Sequence, residues 1–149
     1  YKRQYLKTSV AAGKISEEYA GLINLKRFEE FLQTDLGKRM GSAYKKGLLF
    51  REQPFIMELG ADMIDKEYPS DEKILVQGIV DAFFFEDDKV YIVDYKTDRV
   101  EQGKAGEKAL VERYHKQLEL YADTISRVTG KETGGCYIYS TCLKKEILI

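Results

Sequence analysis

The sequence predicts an α/β domain, a mixed β-sheet with helices on its faces. Three observations carry that prediction. The expected elements run in the order helices, three strands, a long helix, two strands. The central stretch GIVDAFFFEDDKVYIVDYKTD, residues 78–98, reads as a hairpin with apolar residues on both faces, the pattern of strands covered on both sides. Tyr114, Leu118, Tyr121, Ile125 and Val128 then recur at helical spacing. A length of 149 residues fits one domain.

The elements follow in order. Residues 16–33 (SEEYAGLINLKRFEEFLQ) are expected to form an amphipathic helix, with Ser16 as N-cap and glutamates in its first turn. Leu22, Leu25, Phe28 and Leu32 fall on one stripe of it. A short helix is expected over Asp35–Lys46, stopped by Gly47. Residues 48–58 (LLFREQPFIME) read as a strand that Pro54 confines to an edge or a bulge. Residues 60–72, with Pro69 and Ser70, read as a loop. Strands Ile74–Phe85 and Val90–Lys96 follow, then a charged, glycine-containing connection or lid over 98–107. A helix from about Lys108 to Thr129 ends at Gly130. Residues 135–140 and 145–149 close the chain as a second hairpin. We thus expect a helical part over 1–47 and a core over 48–149. The chain begins with Tyr1 rather than Met, so it is expected to be a piece of a longer polypeptide.

Composition narrows the function. Lys plus Arg number 24 and Asp plus Glu 25, a net charge of −1. Overall charge therefore gives no support for nucleic-acid binding, and any such site must arise locally. Cys136 and Cys142 cannot complete a four-cysteine zinc or iron–sulfur site. They are expected to be small core residues of a protein in a reducing compartment. No run approaches the roughly 20 apolar residues of a membrane span, and no signal peptide is visible. A cytoplasmic protein is expected.

The hairpin carries three charges inside its apolar runs: Asp81, Asp94 and Lys96. A turn at Glu86–Lys89, whether its loop has two residues or four, sets Phe85 opposite Val90 and Asp81 opposite Asp94. Directly opposed side chains share a face, with Cβ atoms roughly 4.5–5.5 Å apart. Lys96, two residues beyond Asp94, projects from that face too. Like charges so placed destabilise a sheet, and burial makes them worse. Either one aspartate is protonated or a cation lies between them. Two carboxylates with water suit a hard divalent ion, Mg²⁺ or Mn²⁺. Such an ion acidifies bound water, and an ammonium beside it stabilises charge developing on phosphorus. The bland alternative is a half-solvated sheet on which Lys96 pairs with one aspartate. Apolar neighbours on both faces weigh against it.

GIVD at 78–81, DYK at 94–96 and QLELY at 117–121 resemble the PD-(D/E)XK nuclease superfamily, and within it the RecB-like nuclease domains. The resemblance runs from about Arg51 to the C-terminus and includes REQPF at 51–55. It implies a restriction-endonuclease-like core. It also implies Asp81 and Asp94 as metal ligands, the backbone carbonyl of Tyr95 as a further contact, and Lys96 as the catalytic lysine. Gln117 and Tyr121 would hold the DNA strand or the geometry of the site. On residue type alone, that pair could equally tie helix to sheet. The cofactor implied is Mg²⁺, with Mn²⁺ able to substitute. The family's metal-binding histidine on an upstream helix has no match. His115, the one histidine, is two residues before Gln117, about 200° around the helix, and is expected at the surface or the boundary of the core. Glu52 is the best carboxylate in the chain to assist.

The four-cysteine iron–sulfur clasp of some relatives is also missing, which points to the AddA-like branch. There a nuclease domain is joined to a helicase and works with an AddB-type partner subunit. The resemblance thus implies a deoxyribonuclease acting on single-stranded DNA fed by an attached helicase, in double-strand-break repair and recombination. A catalytically inactive DNA-binding or scaffold module is the first alternative, although Asp81, Asp94 and Lys96 are all present. A stand-alone exonuclease of the phage or CRISPR-associated type is the other.

Overall fold

The computed structural model describes residues 2–22, 25–63, 66–69 and 71–149. Four helices come first: α1 (Lys2–Ala11), α2 (Glu17–Leu22), α3 (Leu25–Gln33) and α4 (Asp35–Lys45). Strands β1 (Leu49–Gly60), β2 (Lys73–Glu86) and β3 (Lys89–Lys96) follow. The long helix α5 (Lys104–Thr129) leads to β4 (Glu132–Ser140) and β5 (Lys145–Leu148). The strands form one sheet in the order β1-β2-β3-β4-β5. All pairs are antiparallel except β3 with β4, so the sheet is mixed, as expected. The parallel pair needs a long crossover, and α5 supplies it.

Local chemistry accounts for the element ends. Ser16 accepts from the Tyr19 N–H at 3.2 Å, and Thr34 caps α4 by accepting from the Gly37 N–H at 3.0 Å. Asp87 and Asp88 both sit in the left-handed region, φ 48° and 63°. That is the two-residue turn whose twist matches its flanking strands, and Glu86 opposes Lys89 as expected. Pro54 lies on β1, which is an edge strand, where a missing N–H is tolerated. Gly130, at φ 69°, ends α5 and donates to the Ser126 carbonyl at 2.8 Å.

Both faces of the central strands are covered. On one face Ile92, Val80 and Phe83 pack against Leu110, Leu118 and Ile125 of α5. On the other, Val93, Ala82 and Phe84 pack against Phe31, Leu36 and Met40 of the N-terminal helices. Among the described residues no helix is long and apolar enough to cross a membrane.

Four expectations need correction. The segment 16–33 is described as two helices, α2 and α3, and residues 23 and 24 between them lie outside the described residues. Within α3 the buried aromatic is Phe31, whereas Phe28 is 52% exposed; the side chain of Leu22 lies outside the description. Helix α5 starts at Lys104, four residues before Lys108. Val128 is 80% exposed, because the last turn of α5 runs past the apolar cover, and the buried stripe includes Leu110 and Thr124 instead.

Candidate active site

The sheet opens where the charges lie. Pairing of β2 with β3 runs from Glu86↔Lys89 to Ala82↔Val93 and goes no further. Beyond it the Tyr95 N–H turns to the side chain of Asp81, donating to Oδ2 at 2.9 Å. On the other flank of β2, Arg51 pairs with Ala82 and Gln53 with Val80, but Glu52 between them drops out of the ladder. Glu52 is held at φ 50°, a conformation that costs a non-glycine residue roughly 1 kcal/mol. At the level of Asp81, β2 therefore has no backbone partner on either side, and its carboxylate occupies the gap.

Asp94 and Lys96 project from β3 on the α5 side. Asp94 is 2% exposed. Lys96 Nζ stands 2.6 Å from Asp94 Oδ2. The contact is the ion pair of a buried carboxylate with a nearly buried ammonium. Lys96 Nζ also donates to Gln117 Oε1 at 3.0 Å, and Gln117 Nε2 donates to the Tyr121 hydroxyl at 3.1 Å. One turn of α5 thereby fixes both the lysine and its support. Glycine at position 78 belongs to the same arrangement. It opposes Phe55 across β1 and β2, and a Cβ there would lie 2.8 Å from the Phe55 ring. That ring stands edge-on to Tyr121, centroids 5.6 Å apart, so the missing side chain leaves space for the aromatic pair behind Gln117.

The electrostatics match the geometry. Burial pushes the Asp94 carboxyl above its ordinary range; Lys96 pulls it back and the nearby Asp81 raises it further. The Tyr121 hydroxyl is raised by burial and then by the charges of Asp94 and Asp81. On the opposite face of β3, burial of the hydroxyl end of Tyr95 and the charge of Asp81 push that phenol up to about 12. Formally, two carboxylates here face a single lysine. A buried carboxylate on Asp94, with Asp81 beside it, offers hard oxygen donors of the kind a divalent Mg²⁺-type ion takes. The donor set is small. Among the described residues no group of three His, Cys, Asp or Glu side chains could hold a metal, and Glu52 is exposed. A hard ion held by two carboxylates, a backbone carbonyl such as that of Tyr95, and waters fits such a set.

The structure thus brings together Asp81, Asp94, Lys96, Gln117 and Tyr121 and leaves Glu52 at the rim. His115 lies partly buried on α5, its Nδ1 near the Val111 and Glu112 carbonyls at 3.3 and 3.2 Å, apart from this cluster. Sequence reasoning missed Asp98 and Tyr114. The Tyr114 ring faces Lys96, with Nζ 4.1 Å from its centroid, and its hydroxyl donates to Asp98 at 2.9 Å. The apolar stripe named Tyr114 only as a core residue, and nothing in the spacing ties it to residue 98.

A mixed sheet opened beside a carboxylate pair, with a lysine two residues along the same strand, is the arrangement that the sequence motifs lead us to expect of a nuclease core. The model of the PD-(D/E)XK nuclease superfamily matches residues 6–146, and the chain belongs to that superfamily, whose members generally depend on divalent metals. Among particular relatives, it is 39% identical over 140 residues to the AddA subunit of the ATP-dependent helicase/nuclease of Clostridium perfringens (strain SM101 / Type A), covering 91% of this chain and 11% of the relative. It is 34% identical over 140 residues to the protein of that name from Listeria monocytogenes serotype 4a, covering 91% of this chain and 11% of the relative. Against the Lachnoclostridium phytofermentans protein the identity is 31% over 180 residues, covering 99% of this chain and 13% of the relative. The chain thus spans about an eighth or less of the relatives it matches.

Proposed function

We propose that the chain is a Mg²⁺-dependent deoxyribonuclease domain that hydrolyses phosphodiester bonds of single-stranded DNA. A helicase portion of the same polypeptide would deliver the strand, with an AddB-type protein as partner, in double-strand-break repair and recombination in the bacterial cytoplasm. The observation that carries this reading is the buried Asp94 carboxylate with Asp81 beside it and Lys96 at 2.6 Å. The helicase comes from the relatives' name, ATP-dependent helicase/nuclease. The partner and the single strand come from the AddA-like branch that the motifs resemble. Two cysteines cannot supply four thiolates, so the reading includes no iron–sulfur cluster.

In this reading Asp81, Asp94 and the Tyr95 carbonyl would hold the ion. When bound, it supplies Lewis acidity toward water and the scissile phosphate. Lys96 is the cation of the chain itself, placed to stabilise negative charge as it develops on the phosphate oxygens. Its ammonium is already fixed by Asp94 and Gln117 before substrate arrives, so little reorganisation is needed at reaction. Gln117 holds Lys96 and is itself held by the Tyr121 hydroxyl. Asp81 is fixed by the Tyr95 N–H.

The test is calorimetric. The chain is titrated with Mg²⁺ and with Mn²⁺, and Asp81→Asn is titrated alongside. Binding by the parent that vanishes in the variant supports the reading, together with loss of single-strand cleavage in Lys96→Ala. Cleavage by Lys96→Ala at the parent rate would overturn the mechanism.

A further inference from the structure

We infer that Tyr114, anchored by Asp98, is a positioning residue that sets the Lys96 ammonium for cleavage. The inference rests on the reading above that Lys96 serves the reaction. Its ground is what surrounds the ammonium. Asp94 lies at 2.6 Å, the Gln117 amide oxygen at 3.0 Å, and the Tyr114 ring centroid at 4.1 Å. The lysine side chain is only 15% exposed. A lysine has a flexible four-carbon stem, and a carboxylate with one amide oxygen leaves its ammonium a wide arc. The ring face closes the third side, and attraction of a cation to an aromatic face strengthens as water is removed.

Tyr114 is not free to swing. Its hydroxyl is 2.9 Å from both Asp98 oxygens, and Arg113 Nη1 is 2.6 Å from Asp98 Oδ1. The Tyr114 hydrogen bond first, with burial opposing it and the Arg113 bond adding to it, holds the Asp98 carboxyl below its usual range. This arrangement has two consequences. A phenol that donates to a carboxylate is polarised, which makes its ring face more negative toward the ammonium. Asp98 is also engaged by α5, so it does not compete with Asp94 for the lysine two residues away. Tyr114, Gln117 and Tyr121 lie three and four residues apart, on one face of α5. That face thus offers a ring, an amide oxygen and a hydroxyl in succession along the strand that carries Lys96.

The test reads the lysine itself. In the chain grown with ¹³C-lysine, the Lys96 ε-methylene signal is assigned by its disappearance in Lys96→Ala. A nucleus over a ring face is shielded, so in the parent this signal should lie upfield of the other lysines. It should move part of the way to the common position in Tyr114→Phe, which keeps the ring but loses its bond to Asp98, and return fully in Tyr114→Leu. In single-strand cleavage Tyr114→Leu should lower kcat about tenfold, with KM within about twofold, while Tyr114→Phe recovers to within about threefold of the parent. If Tyr114→Leu does not fold, Asp98→Asn carries the test, since release of the anchor should also move the Lys96 signal. An unmoved signal and parent kcat in Tyr114→Leu, or an unmoved signal in Asp98→Asn, with Lys96→Ala inactive, would overturn this inference alone. Parent-rate cleavage by Lys96→Ala would overturn the reading beneath it.

Discussion

Replacing Lys96 by Met keeps the length and apolar stem of the side chain and removes its charge. In the metal-free chain, this takes away the cation that stands 2.6 Å from the buried Asp94. The pair is nearly enclosed, with side-chain exposures of 15% and 3%, so solvent screening gives little relief. At an effective dielectric of about 20, two charges that close attract by about 6 kcal/mol. Desolvation offsets a large part, and breaking a buried pair from one side typically costs about 3–5 kcal/mol. Taking about 3 kcal/mol and roughly 2–4 °C per kcal/mol for a chain of this size, Lys96→Met should melt about 6–12 °C below the parent near neutral pH in chelator. The pH dependence has a definite sign. Lys96 contributes only effects that lower the Asp94 pKa, while burial and Asp81 raise it. Without the lysine the folded-state pKa rises further above the ordinary 3.8. A raised carboxyl leaves stability intact below the unfolded value and loses it as pH rises through the folded one. The gap between variant and parent should therefore be nearly closed near pH 4 and fully open near pH 7. Thermal melts followed by circular dichroism at both pH values check this. A variant that melts within about 2 °C of the parent near neutral pH, or a gap equal at both, would show that Asp94 does not depend on this cation.

Two further predictions follow from the packing. Gly78→Val should destabilise the chain by about 1–3 kcal/mol, because even a Cβ would lie 2.8 Å from Phe55; adding Phe55→Ala should return part of that loss in urea melts, and additive losses would refute the account. Arg39→Ala should cost about 3 kcal/mol, since the guanidinium holds Glu86 at 2.6 Å, donates to the Tyr137 hydroxyl at 2.8 Å and lies 4.2 Å from the Tyr91 ring centroid. Arg39→Lys should recover less than half of that stability, because an ammonium cannot reproduce the planar fork; full recovery would show that charge alone suffices.

What could be read from the sequence was what a short period or a local turn determines. Two turn aspartates between β-rich runs fix the hairpin register as far as Ala82↔Val93. A period of two then puts Asp94 and Lys96 on one face. The opening of the ladder at Asp81 could not be read, because it depends on Glu52 leaving the neighbouring strand. The start of α5 was missed because Lys104–Glu107 contains a glycine amid charges and reads as a loop. In the structure Gly106 is helical and marks close passage: a Cβ there would lie 1.9 Å from the Glu101 carbonyl oxygen. The same crossover carries Asp98 to Tyr114, a tertiary contact that no periodicity encodes. Phe31 rather than Phe28 is buried in α3 because its ring meets Tyr95 and Tyr139 of the sheet edge-on, at centroid distances of 5.7 and 4.6 Å, tertiary contacts that a helical stripe does not encode.

The charges in the apolar hairpin can now be weighed against each other. Counted formally, the carboxylates of Asp81 and Asp94 with the Lys96 ammonium leave the cluster one negative charge in excess; burial above all raises the Asp94 carboxyl and the Tyr121 phenol, and the neighbouring aspartates add to it. The lysine therefore explains how the metal-free chain folds around two carboxylates, but not why two are present. A fold needing only an internal ion pair would be served by one aspartate. The second creates a deficit that a single lysine leaves unfilled. A dication reverses the sign and leaves one positive charge in excess, the polarity that a phosphodiester anion requires. The cost of Asp81 in the metal-free chain is thus the physical condition for the electrostatics of the proposed reaction.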